Sequence, residues 1–424
     1  VKYDVIIIGA GAAGLAAARA LSGAGKRICI LEARDRIGGR VSSLHLPGLP
    51  VPIELGAQFI HGESATTFGI VEAAGLTAVE LTDTHWRVRG ETRERIDDYW
   101  EEIDRIRGKI RPRKRDLSFA EFVRSRRELT PRQRELAHAF VEGYHAAHAD
   151  RISALALRTA DGEQDDPSGN KQFRLTGGQD AIIEWLRSGL DPERTDLRLR
   201  TVVASVQWSP RSVVVATRAG ERIRAAALVV TIPIGVWKAA RDQEGAIEFD
   251  PPLREKERAL DTIEAGHVVK IAFRFRERFW DDGVNFLHTD DRFLPTWWTD
   301  APIRSPILTG WGGGHAADAL IAEGADSLQD RALDSLSRAF DVPRRRVDSL
   351  LAGVFHHDWQ RDPFSRCAYS YAAVGGSESH AALGKPLRGT LYFAGEATSG
   401  DETGTVAGAI ESGKRAAREL LGRR

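Results

Sequence analysis

The chain has 424 residues, enough to bury a large core and to form two or three domains. Its 60 basic and 60 acidic residues balance, which excludes a global electrostatic pull toward nucleic acid or an anionic membrane surface. Two cysteines, Cys29 and Cys367, can build neither a disulfide framework nor a zinc site, so a reducing, cytoplasmic location is expected.

The first predicted element is a buried parallel strand over residues 5–8, running into Gly9-Ala10-Gly11-Ala12-Ala13-Gly14. Gly9 starts a turn that a side chain would obstruct, and Gly11 lets the backbone approach a pyrophosphate. Gly14 lets the following Ala/Leu helix, which carries Ala13 in its first turn, pack closely on the strand. The N–H groups and positive dipole end of that helix suit phosphates. A second strand over residues 27–31 ends at Glu32, 18 residues after Gly14, where a carboxylate can accept from ribose hydroxyls. The apolar run 5–21 has no charged leader, and no apolar tail follows Leu421, so neither a signal peptide nor a membrane anchor is expected.

Residues 31–40, Leu-Glu-Ala-Arg-Asp-Arg-Ile-Gly-Gly-Arg, add two glycines and Arg40, a second backbone approach and a guanidinium able to fork onto a pyrophosphate. This double clamp resembles the signature of the flavin amine oxidase family: monoamine oxidases, polyamine oxidases and flavin histone demethylases. The resemblance implies FAD, with Ala33, Arg34 and Gly39 in its binding segment. It also implies an α/β fold, in which a Rossmann-type FAD-binding domain of the glutathione-reductase kind carries a discontinuous substrate domain of mixed sheet and helices. The expected division is 1–79, 172–259 and 362–424 for FAD, and 80–171 and 260–361 for substrate.

Residues 53–62, Ile-Glu-Leu-Gly-Ala-Gln-Phe-Ile-His-Gly, read as a strand running into a loop. They resemble the "LGA-x-x-I-H-G" segment of spermine and acetylpolyamine oxidases, which implies Gly56, Ala57 and Gln58 beside the isoalloxazine and His61 at the substrate entrance. Ile96, Tyr99, Trp100, Ile103, Ile106 and Ile110 recur at helical spacing and predict one amphipathic helix. Ser118 with Glu121 predicts a capped helix, and Thr130-Pro131 with Gln133 predicts another, running to about His148. The basic stretch 105–115 reads as a solvated helix end, with a docking patch as the alternative. The acidic residues 161–170 read as a surface loop that could steer a polycation if it lay at the mouth of the site. Residues 176–179 open a helix over 180–187.

Three short strands are expected over 201–231, the crossover meander of this FAD fold, with Val203 implied to meet the adenine. Thr231-Ile232-Pro233-Ile234-Gly235-Val236 matches the family's "T-x-P-x-G-V". Alternation over 266–275 predicts a strand with Val269, Ile271, Phe273 and Phe275 on one face and Lys270 beside Ala272 on the other. A lysine in such surroundings is costly unless paired or poised. The segment resembles the family's "G-x-x-x-K … F-W", which implies that Lys270 holds a water against flavin N5. Trp297, Trp298 and Trp311 are expected in the core rather than in a substrate cage. His356 and His357 are adjacent on a predicted strand and face opposite sides, so no metal is expected.

Residues 358–371 resemble "W-x-x-D-P-x-x-R-G-x-Y-S-Y", which implies Trp359 at the cofactor and Tyr369 on the aromatic wall. Cys367 replaces the glycine. Ala368 stands where monoamine oxidases attach flavin through Cys, so non-covalent FAD is expected. Residues 391–398 and 404–409 resemble "F-A-G-E-x-T … G-T-V-x-G-A", which implies Gly395, Glu396, Thr405 and Val406 near the flavin. Thr405 replaces the second tyrosine of the monoamine oxidase pair. The implied reaction oxidises a polyamine or a primary or secondary amine to an imine, with O2 reduced to hydrogen peroxide. Alternatives are an L-amino-acid oxidase, a protoporphyrinogen oxidase or carotene desaturase-like enzyme, and a partner-binding flavoprotein. Lys270 argues against the last. Monomer and homodimer both fit.

Overall fold

The computed structural model describes residues 3–90, 92–111, 115–159, 171–324 and 327–422. The acidic stretch 161–170 and part of the basic stretch lie outside the described residues. The apolar run at the start forms the strand Tyr3–Ile8, paired in parallel with Ile28–Leu31 on one side and Arg222–Val230 on the other. Such strands are buried on both faces, which is why they read as continuous apolar runs. The eight-stranded sheet continues from Ile28–Leu31 to Thr195–Arg198, and from Arg222–Val230 through Ser212–Thr217 and Val203–Ser209 to Glu248–Asp250. Leu391–Phe393 also pairs with Arg222–Val230 in parallel. The third of the three expected short strands is thus more than a crossover: it is the parallel neighbour of the first strand, and Ile8 pairs with Val230.

Helices Ala12–Gly23, Asp180–Ser188 and Val406–Leu420 cover one face of this sheet. The first and last of them meet backbone to backbone. A Cβ on Gly413 would fall 2.2 Å from the carbonyl oxygen of Ala13, so a larger residue there would force them apart.

A second sheet of seven strands runs in the order Leu351–His356, Val268–Phe275, Ile307–Gly313, Thr296–Trp298, Phe286–Thr289, His85–Arg89, Thr92–Ile96. Helices Tyr99–Arg107, Phe119–Ser125, Pro131–Tyr144 and Ala154–Thr159 pack beside it. Both expected capping boxes are present, at Ser118 with Glu121 and at Thr130 with Gln133. The isoleucine stripe is buried, but only its centre is helical, because Ile96 closes a strand and Ile110 follows the helix. The Pro131 helix stops at Tyr144, before the left-handed Ala146 (φ 51°). The solvated helix end holds for Arg105 and Arg111 but not for Arg107, which is buried and donates to the carbonyl of Leu157. Small sheets stand apart from these two, among them Ile263–Gly266 with Tyr369–Ala372, and Ile60–His61 with Gln172–Leu175 and Ala78–Glu80. Among the described residues no helix is long and apolar enough to cross a membrane.

Candidate active site

A cavity of about 620 Å³ runs between the two sheets, from the glycine turn after the first strand to an aromatic wall on the second sheet. At the turn, Gly9 has φ 101°, and a Cβ there would lie 2.6 Å from the Thr231 hydroxyl. A Cβ on Gly14 would lie 2.0 Å from the carbonyl oxygen of Gly9, so this glycine sets helix-to-strand packing. Gly11 differs. Among the described residues, its two chain neighbours apart, no atom comes nearer than 3.9 Å to its Cβ position, and the space there opens into the cavity. Gly38 bridges to Gly11 and brings Gly39 alongside it. The Glu32 carboxylate at the end of the second strand is fixed by the N–H groups of Ala10 (2.8 Å) and Arg34 (2.9 Å). Each oxygen keeps a further lone pair for a ligand hydroxyl.

Midway, Arg40 donates through Nη1 to the carbonyl of Ala368 (2.7 Å) and to Glu396 (2.9 Å), which also accepts from the Ser370 hydroxyl (2.7 Å). Burial opposes both charges, yet the pairing raises the Arg40 pKa and lowers that of Glu396. Gly56 lies against this clasp. A Cβ on it would fall 1.9 Å from the Arg40 carbonyl oxygen and 3.2 Å from the ring of Trp359, whose indole N–H holds the Leu55 carbonyl (2.9 Å).

Lys270 is buried, and its Nζ donates to the carbonyl of Gly56 at 3.0 Å. The ring of Trp298 lies 5.8 Å away. Burial pushes this ammonium down to about 7, against the pull of Glu54. Glu54 is buried too, and accepts from Ser43 (2.6 Å) and the N–H of Gln179 (2.9 Å). The buried pair Arg174–Asp300 adds one charge of each sign to the same network.

Cross-strand register arranges the far wall in two rows. Lys270 stands opposite Trp311, Trp311 opposite Thr296, and Thr296 opposite His288. The neighbouring row is Ala272, Thr309, Trp298, Phe286 and His85. Opposed residues share a face, and all four of the first row line the cavity. Tyr369 closes the wall, its hydroxyl donating to the Tyr144 carbonyl at 2.7 Å and pushed well above its ordinary pKa by burial. His61 packs edge-on to Tyr144 with ring centres 5.1 Å apart.

Against this geometry, the family described as flavin containing amine oxidoreductase matches residues 12–421. The chain belongs to that family. Its cofactor is FAD. A polyamine oxidase 3 of Oryza sativa subsp. japonica is 30% identical over 98% of this chain and 88% of its own length. A lysine-specific histone demethylase 2 of Homo sapiens is 28% identical over 98% of this chain, which spans about half (53%) of that protein. Among solved structures, wild-type putrescine oxidase bound to putrescine superposes with a TM-score of 0.83 at 22% identity, covering both chains fully. Cyclohexylamine oxidase from Brevibacterium oxydans IH-35A gives 0.83 at 19% identity, over 100% of this chain and 99% of its own.

The cavity gathers nearly every residue singled out from the sequence: Gly9, Gly11, Ala13, Glu32, Ala33, Arg34, Gly39, Arg40, Gly56, Ala57, Gln58, His61, Val203, Lys270, Trp359, Tyr369, Gly395, Glu396, Thr405 and Val406. Gly14 lies behind the turn. The tryptophans differ in part from expectation, and Arg34 and Thr405 have partners within the protein. The Arg34 guanidinium is tied to Asp362 (2.7 Å) and Ser365 (2.9 Å). Burial works against the charge of Asp362, but His357 and Arg34 hold it well below the usual carboxylate range. Thr405 spends its hydroxyl capping the last helix, accepting from Gly408 N–H at 2.9 Å. Trp297 is core as expected, whereas Trp298 and Trp311 line the cavity, because alternation and pairing turn them to the opposite face. Cys367 packs among Ile234, Ile263 and Leu383, its thiol pushed up to about 11 by burial, while Ala368 lines the cavity. Sequence reasoning missed Glu54, Arg174, Asp300, Tyr144, His85 and His288. Only Glu54, an acid inside an apolar strand, carried a local signal.

Proposed function

We propose that this chain is an FAD-dependent amine oxidase that converts a primary or secondary amine, polyamines among the candidates, to an imine, with O2 reduced to hydrogen peroxide. Bound FAD supplies the redox chemistry, accepting a hydride equivalent from the carbon beside the nitrogen and passing electrons to O2. In this reading Gly9, Gly11, Ala13, Glu32, Gly39, Val203, Gly395 and Val406 hold the cofactor, and Arg40 with Glu396 clasps the segments around it. The first sheet carries the cofactor and the second the substrate. Tyr369, Trp298 and Trp311 exclude water and favour the neutral amine, since an ammonium is disfavoured against apolar walls. Lys270, poised near neutrality, carries a proton or positions a water for hydrolysis of the imine. It also offsets negative charge developing on O2.

The observation that carries this reading is a buried lysine, held by Gly56, in the same cavity as the Gly11–Glu32 nucleotide cradle. An L-amino-acid oxidase would need a cation to fork the substrate carboxylate. Among the described cavity residues the guanidinium groups are those of Arg34 and Arg40, both already paired with carboxylates. The test is an amine panel read out by peroxide release. Turnover of L-amino acids in preference to amines would reject the assignment.

A further inference from the structure

The far end of the cavity holds a chain of polar groups with no part in the chemistry above. Nε2 of His288 lies 2.8 Å from Nδ1 of His85, and Nε2 of His85 lies 2.8 Å from Oδ1 of Asp83. That oxygen also accepts from the indole N–H of Trp100 at 3.1 Å. Tyr99 stacks on His85 with centres 4.0 Å apart, and Phe286 stacks on it at 4.9 Å, so the ring is clamped between two others.

The bonding order fixes which atoms donate. Burial opposes ionisation of Asp83, but the bond from His85 keeps its pKa below the ordinary value. An ionised carboxylate can only accept, so His85 donates through Nε2 and, when neutral, accepts at Nδ1. His288 therefore donates through Nε2, which leaves its Nδ1 as an acceptor. That atom has no hydrogen-bond partner among the described residues and is not sealed from solvent, and the ring borders the cavity.

Charge narrows the ligand further. The carboxylates lining the cavity, among the described residues, are Glu32, Glu63, Glu396, Asp401 and Glu402, and none of them belongs to the second sheet. Arg87 stands next in register beyond His288. Burial, His85 and Arg87 together keep the His288 ring well below its ordinary pKa. Surroundings that repel a proton there also oppose a substrate ammonium. Three strand spacings separate Lys270 from His288, on the order of 14 Å across the sheet, and Trp311 and Trp298 lie between.

We propose that Asp83, His85 and His288 form a distal subsite that accepts a hydrogen bond from a neutral hydroxyl or N–H at the far end of an amine with an apolar body. The subsite rests on the amine-oxidase reading only for the reacting end of that molecule.

The test compares 4-(aminoalkyl)phenols of increasing chain length, tyramine first, with their 4-methoxy ethers and with putrescine and spermidine. At the best length the phenol should exceed its ether in kcat/KM by about tenfold, the factor set by satisfying rather than stranding one acceptor. The gain should lie mainly in KM, as expected of a contact remote from the reacting carbon. His288→Leu should bring the ratio close to one. His288→Gln, whose amide can both donate to His85 and accept from the ligand, should restore part of it. Calorimetric binding of 4-hydroxyphenethyl alcohol against its methyl ether should show the same preference with no amine to oxidise.

A wild-type ratio within about threefold (~0.6 kcal/mol) at every length, or a preference for putrescine and spermidine, overturns the subsite and leaves the amine-oxidase reading intact. Alcohol binding that depends on His288, with no amine oxidised, supports the subsite and rejects that reading instead.

Discussion

Replacing Lys270 with Met keeps the length of the side chain and removes its charge and its bond to the Gly56 carbonyl, 3.0 Å away. The variant should still bind FAD, because neither the Gly11 turn nor Glu32 contacts this side chain. A positioned cation facing developing negative charge typically contributes ~3 kcal/mol to the transition state, on the order of a hundredfold in rate. That loss should fall on reoxidation by O2, while anaerobic reduction by amine should change much less. Burial pushes the Lys270 ammonium down to about 7, so wild-type reoxidation should slow as pH rises through that region and the ammonium is lost. The Met variant should be slow throughout and lack this limb. Stopped-flow absorbance resolves the two half-reactions. If both stay within a factor of about three of wild type (~0.6 kcal/mol), or if the pH limb persists in the variant, the role given to Lys270 is wrong.

The same lysine should be visible in stability. Unfolded, it holds its proton up to 10.5, and folded only to about 7. Between those values the unfolded chain binds more protons, so stability should rise with pH, by up to about 1.4 kcal/mol per unit. Urea titrations of wild type should show that rise, and Lys270→Met should lack it. Gly11→Val should purify folded but colourless, since the protein leaves room for its Cβ, whereas Gly14→Ala should lower Tm because its Cβ meets a backbone oxygen at 2.0 Å; full FAD content in Gly11→Val would contradict the cradle. Acid precipitation should release flavin into the supernatant, because Cys367 faces the core and Ala368 the cavity. Colour remaining with the pellet would mean that the thiol reaches the cofactor.

Much of this site was legible because its signals are local. Glycines at 9, 11 and 14 and an acid at 32 lie within one strand–helix–strand unit, so spacing alone describes a cradle. Lys270 stood out because alternation placed a charge beside Ala272 in the apolar middle of a strand. Capping boxes at Ser118 and Thr130 are four-residue features and were equally readable. The distal wall was not. His85 and His288 lie far apart in sequence and meet only because their strands pair in parallel, a non-local fact that no window shows. Trp298 is buried as expected yet, like Trp311, also borders the cavity, since which face of a strand opens depends on what packs behind it. The tie from Arg34 to Asp362 was equally invisible, because the two residues lie 328 positions apart in the chain.

The central claim, that this cavity binds FAD and uses it to oxidise amines, is tested most directly by anaerobic titration of the purified protein with an amine panel that includes tyramine, putrescine and cyclohexylamine. The protein should be yellow, at least one amine should bleach its flavin absorbance, and admitting O2 should restore the colour with about one hydrogen peroxide formed per flavin. A colourless protein that takes up no FAD, or a yellow one that no amine bleaches, would contradict it.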